Sequence, residues 1–108
     1  MDGPRFEADV TKALKAAGLK AIRPTQTRAV DIGDIHLGDD WVLQAKAWAN
    51  IASALREGTQ DAQTQAYQAR RRFGAAVIKK HRGAIADAYV AMPLSTFIEF
   101  IKSQESPE

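Results

Sequence analysis

At 108 residues, 45% of them hydrophobic and 26% charged, the chain has the make-up of one soluble globular domain over residues 1–108. The absence of cysteine excludes a disulfide framework and any thiolate metal site. No apolar run approaches the roughly 20 residues that span a bilayer, and Met1-Asp2-Gly3-Pro4-Arg5 lacks the pattern of a signal peptide, so a cytoplasmic protein with no membrane partner is expected. The formal net charge is only +2, but no acidic residue stands between Asp61 and Asp87. That gap holds Arg70, Arg71, Arg72, Lys79, Lys80, His81 and Arg82, a local cationic field of the kind that attracts polyanions. The same run also reads as a solvated helix end followed by a basic loop.

The first periodic segment is Pro4 to Ala17, where Phe6, Val10, Ala13, Leu14 and Ala17 make one helical apolar stripe. Asp2 suits its N-cap and Gly18 its stop, and Glu7 projects from the flank of the stripe. A short strand is expected over Leu19–Ile22. Two longer strands, Ala29–Leu37 and Trp41–Trp48, are separated by Gly38-Asp39-Asp40 and predict a hairpin. Asn50 caps a short helix that Gly58 breaks. Thr59 then opens a longer helix with Ala62, Ala66, Ala69 and Phe73 on one side, ended by Gly74. Strands follow over Ala75–Lys79 and Asp87–Met92, with His81-Arg82-Gly83 as a turn. Pro93 opens a last helix whose Leu94, Phe97, Ile98 and Ile101 are expected to face inward, and 103–108 reads as a frayed tail. The order αβββαββα implies an α/β domain in which helices flank a mixed β-sheet.

Side chains alternate along a strand, so Gln44 and Lys46 share one face while Ala45 points to the other. Asp31 lies 13 residues before Gln44, and a hairpin of this length sets the two side by side. Asp34 is the rival acid: in a regular strand it points to the opposite face, and a bulge exchanges the two. Asp31, the Gln44 amide, the Ala45 carbonyl and Glu7 offer the oxygen ligands that a hard cation such as Mg²⁺ takes. Lys46 beside them would orient an attacking water or stabilise charge on a phosphate, the parts that metal-assisted phosphodiester hydrolysis needs. Taken singly, Glu7 is also an ordinary first-turn acid, Asp31 a surface acid near a turn, and Lys46 an exposed strand lysine. Trp48 shares the Gln44 face. Trp41 reads as core or dimer contact, and His36 as a surface histidine.

Glu7 in a first helix, Asp31 in Ala29-Val30-Asp31, and Gln44-Ala45-Lys46 resemble, in order, the pattern of the PD-(D/E)xK nuclease superfamily. Within it the chain looks most like small archaeal and phage-type Holliday junction resolvases, a likeness running from about Phe6 to Ile101. The resemblance implies a restriction-endonuclease-like core and Mg²⁺-dependent cleavage of branched DNA, with Mn²⁺ able to substitute. It also implies a homodimer in the cytoplasm of a bacterial, archaeal or phage-infected cell. Catalysis would fall to Glu7, Asp31, Gln44 and Lys46, metal binding to Asp31, Gln44, Ala45 and Glu7. DNA would be held by Arg70, Arg71, Arg72, Lys79, Lys80, His81 and Arg82, with Arg5, Arg23 and Arg28 as further candidates. Two features depart from the pattern: Gln44 replaces the usual acid, as in Mrr-like restriction enzymes, and Val30 replaces proline. Gln63 and Tyr67 match the Q-x-x-x-Y element of RecB-like exonucleases. The alternatives are a restriction- or repair-type nuclease on other DNA, and a non-catalytic DNA-binding module on the same scaffold.

Overall fold

A computed structural model describes residues 3–25 and 30–105. The elements are α1 (Gly3–Ala16), β1 (Ala21–Ile22), β2 (Ile35–Leu37), β3 (Trp41–Lys46), α2 (Ile51–Gln68), β4 (Phe73–Ile78), a single 3₁₀ turn (Ile85–Asp87), β5 (Tyr89–Ala91) and α3 (Leu94–Glu105). The strands form one open five-stranded sheet in chain order, antiparallel everywhere except between β3 and β4. The single parallel pair follows from α2, which is long enough to carry the chain back to the start of the sheet. The chain is therefore an α/β domain with a mixed sheet and the expected element order.

β4 is buried at all six positions, as expected of a central strand covered on both faces. Its alternation assigns those faces. Ala75 and Val77 join Ile35, Leu43, Phe6 and Val10 beneath α1, whereas Ala76 and Ile78 pack with Ala54 beneath α2. No described helix is long and apolar enough to cross a membrane.

Several boundaries differ from the sequence expectation, each for a local reason. The strand expected from Ala29 shrinks to Ile35–Leu37, and Ala29 itself lies outside the described residues. Gly33 adopts φ +92°, and its N–H bonds to the Asp31 carboxylate 2.9 Å away, an Asx-type turn that keeps Asp31 out of the sheet. The two helices expected on either side of Gly58 are one. Asn50 caps it through a 3.0 Å bond from Ser53 N–H, and Gly58 lies buried mid-helix. A Cβ at Gly58 would stand 3.0 Å from Ala76 Cβ and 3.2 Å from Lys46 Cγ, so this glycine sets the close approach of α2 to the sheet.

Gly74 does not end α2; it lies within β4. The stop is made by Arg70 at φ 58°, with Arg71 N–H bonded to Ala66 O and Arg70 N–H to Tyr67 O. This is a Schellman closure with arginine in the left-handed position that glycine usually takes. The last helix keeps its start at Leu94, but Leu94, Phe97 and Ile98 are exposed, and α3 has no buried residue. It docks through Phe100, edge-on to Trp41 and Phe73 at ring separations of 5.2 and 5.5 Å. Ser103–Glu105 are helical rather than frayed, and 106–108 lie outside the described residues, as do Asp2 and Arg28.

Candidate functional site

Asp34, not Asp31, is the acid held against the Gln44-Ala45-Lys46 strand. The β2–β3 ladder ends where Ile35 pairs with Leu43, and Asp34, the residue before it, reaches β3 through two further bonds. Asp34 N–H donates to Leu43 O at 3.2 Å, and Asp34 Oδ2 accepts from Ala45 N–H at 2.8 Å. Asp31 is exposed and lies on the α2 side of the turn, where its second oxygen accepts a 2.7 Å bond from Gln65 Nε2. Asp31 thus shapes the turn that delivers Asp34. A side chain at Gly33 would collide with Val42, so the same turn also requires its glycine.

Burial pushes the Asp34 carboxyl up from 3.8 to about 6. The bond from Ala45 N–H opposes this, the negative charges of Glu7 and Asp31 add to it, and Lys46 opposes it. Glu7 on α1 and Lys46 at the end of β3 thus both act on the charge of Asp34, which precedes β2. Glu7 and Asp34 line a common cavity with Arg23, Pro24 and Gly33. Arg23 pairs with Glu7 at 3.1 Å.

Lys46 is only 9% exposed. Its stem runs beneath Gly58, and its ammonium reaches Asp61 at 3.3 Å and the Trp48 ring at 4.5 Å. Trp48 covers the lysine head through a cation–π contact. Asp61 had no sequence signal, because its partner is 15 residues away on another element.

Gln44 Oε1 is buried and, among the described residues, has no hydrogen-bond partner. A buried acceptor left unpaired costs about 1–3 kcal/mol, so an oxygen-seeking ligand at this position would relieve it. No group of three or more His, Cys, Asp or Glu side chains is placed to hold a metal among the described residues. Glu7 and Asp34 are the two carboxylates that share a cavity, and they offer oxygen donors of the kind a hard cation takes. Ala45, expected to contribute its carbonyl, uses its N–H to hold Asp34 in place.

The basic residues fall into two groups at opposite ends of β4. Arg70, Arg71 and Arg72 precede it, whereas Lys79, Lys80, His81 and Arg82 follow it, and the strand between them is about 17 Å long at 3.3 Å per residue. Arg71 donates to Gly38 O at 2.7 Å, and Arg72 lies 3.9 Å from Asp40 and over the Phe73 ring. These two brace the β2–β3 turn, away from Lys46. The second group shares the Lys46 end, since Lys79 N–H donates to Lys46 O at 3.0 Å. His36 Nε2 sits 2.8 Å from Ile32 O, a structural contact. Trp41 is a core contact, its ring 4.9 Å from that of Phe73 and tilted 39° to it. Gln63 links α2 to Gly74 O and Thr96, and Tyr67 is 84% exposed, so the Q-x-x-x-Y pair does not join the site. No family model, curated protein or solved structure matches the chain.

Proposed function

We propose that the chain is a metal-dependent DNA endonuclease with a PD-(D/E)xK-type site made of Glu7, Asp34, Gln44 and Lys46. The observation that carries this reading is the 2.8 Å bond from Ala45 N–H to Asp34 Oδ2, which seats an acid on the Gln44-Ala45-Lys46 strand. Glu7 completes the set from α1 and acts electrostatically on Asp34. Bound Mg²⁺, or Mn²⁺ in its place, would supply Lewis acidity to a phosphodiester. Asp34 and Glu7 would hold it, and Gln44 would offer its unpaired oxygen. The Arg23–Glu7 pair is partly exposed, and such pairs are worth about 0–1 kcal/mol, so Arg23 yields its carboxylate readily and is then available to a phosphate. Lys46, held under α2, would present a fixed positive charge to the phosphate as negative charge builds there.

DNA is proposed as the substrate because Lys79, Lys80, His81 and Arg82 follow β4 at the same end of the sheet. Within this reading we favour branched DNA and a homodimer with two sites that cut two strands, in the manner of a Holliday junction resolvase. The test is cleavage of a four-way junction with Mg²⁺, compared with linear and flapped duplexes. Asp34→Asn and Lys46→Ala should each lower the rate at least about 100-fold, the size seen when a transition-state charge contact is removed. Wild-type rates in both variants would refute the site.

A second reading rests on the neutral Gln44 and on the Lys46–Asp61 pair, which leaves the lysine already partnered. It makes the chain a non-catalytic DNA-binding module. Retained DNA affinity with neither Mg²⁺ nor Mn²⁺ binding in calorimetry would decide for it.

A further inference from the structure

Across α1 from the candidate site lies a second cavity of about 260 Å³. Arg5 and Asp9, one helical turn apart, form its α1 wall; Lys79, Lys80 and Gly83 form the other, and Phe6 is part of its lining. Glu7 lines the Asp34 cavity instead, so the first turns of α1 present a carboxylate to one side and a guanidinium to the other. Among the described residues that line it, cations outnumber carboxylates, Arg5, Lys79 and Lys80 against Asp9. At 260 Å³ it falls below the roughly 300–1,000 Å³ of pockets that enclose a drug-sized molecule, and a single anionic group suits it better.

The turn after β4 is built to place one of these cations. Arg82 takes φ 60°, and Gly83 N–H bonds back to Lys80 O at 3.0 Å. A Cβ at Gly83 would meet Lys80 Cβ, Cγ and Cδ, each at 3.1 Å. The missing side chain therefore lets the Lys80 stem lie along the turn, beside the cavity.

We propose that this cavity binds a phosphate group; resting on the nuclease reading above, that group is a backbone phosphate of the DNA strand, held next to the one being cut. The strand then crosses the N-terminal turns of α1, with one phosphate at Arg5, Lys79 and Lys80 and another at Asp34 and Lys46. Asp9 lowers the net charge of the lining.

The test is a titration with inorganic phosphate, and with an oligonucleotide with and without a 5′-phosphate, followed by backbone amide shifts. Saturable shifts confined to residues 5–9 and 79–84 are expected, stronger for the phosphorylated oligonucleotide and lost in the Arg5→Ala/Lys80→Ala double variant. Gly83→Ala keeps every charge but displaces the Lys80 stem, and it should weaken phosphate binding several-fold. In DNA binding, the slope of log K against log salt should fall by about one for each cation removed. Shifts that never saturate, or that scatter over the surface, overturn the proposal. An unchanged slope and phosphate affinity in the double variant, with junction cleavage still dependent on Asp34, overturns the cavity alone and leaves the nuclease reading standing. Phosphate binding lost in the double variant, in a protein that cuts no DNA with any divalent metal, upholds the cavity and removes the nuclease reading.

Discussion

Asp34 offers a measurement that needs neither substrate nor metal. Its carboxyl titrates near 6 in the folded chain, against 3.8 ordinarily. Below about pH 3.8 it is protonated both folded and unfolded, and costs nothing. Between 3.8 and 6 the unfolded chain ionises while the folded chain holds its proton, so stability falls as pH rises, levelling off above 6. Each pH unit of that window is worth about 1.4 kcal/mol, so the full penalty is about 3 kcal/mol at pH 8. Asparagine removes the charge and keeps an oxygen for Ala45 N–H. Asp34→Asn should therefore be more stable than wild type by about 2–3 kcal/mol at pH 8 and about equal near pH 4. Urea unfolding in chelator across that range gives the difference directly, and carboxylates remote from Asp34 cancel because they are common to both proteins. A difference that does not change with pH, or an asparagine variant that is less stable at pH 8, would refute the buried-carboxylate argument. A gain in stability from removing a charged group marks a residue retained for something other than folding.

Three further outcomes are expected. Gly58→Ala should destabilise by up to about 2 kcal/mol, since overpacking against Ala76 and Lys46 costs about 1–3 and better helix propensity returns about 1; a gain of about 1 kcal/mol in urea unfolding would mean that α2 and the sheet do not approach so closely. Arg70→Gly should raise stability by about 1 kcal/mol by relieving the left-handed backbone, and a lower melting temperature would contradict the Schellman closure. Arg71→Ala should lower stability by about 1 kcal/mol at most, through the lost bond to Gly38 O, and leave the salt slope of DNA binding unchanged; a slope reduced by one would return Arg71 to the DNA-contacting set.

Element order was legible in the sequence because it rests on apolar periodicity, which burial of one face imposes. Register was not. Asp31 and Asp34 each precede an isoleucine, and only the bond from Ala45 N–H to Asp34 decides between them. A usable signal was present in Asp31-Ile32-Gly33, an Asx turn with glycine in the third place, which ends a strand rather than continuing it. Gly58 misled for the opposite reason: a glycine that breaks helices on propensity is kept here for what it lets come near. The basic run looked continuous because sequence distance conceals that β4 carries Lys79 to Lys46 while leaving Arg71 at the Gly38 turn. The outward apolar side chains of α3 had no such signal, since their helical spacing fits either side.

The lysine beneath Gly58 has a kinetic consequence. A free lysine side chain loses about 1.5–2 kcal/mol of rotamer entropy when it is fixed. The Lys46 stem is confined between α2 and β3, and its head between Asp61 and Trp48, so that loss is taken when the chain folds. On the proposed nuclease reading, a phosphate arriving at the ammonium would meet a side chain already in place. At 1.36 kcal/mol per factor of ten, a lysine ordered in advance would then be worth about ten- to thirtyfold in rate over the same residue on an open strand.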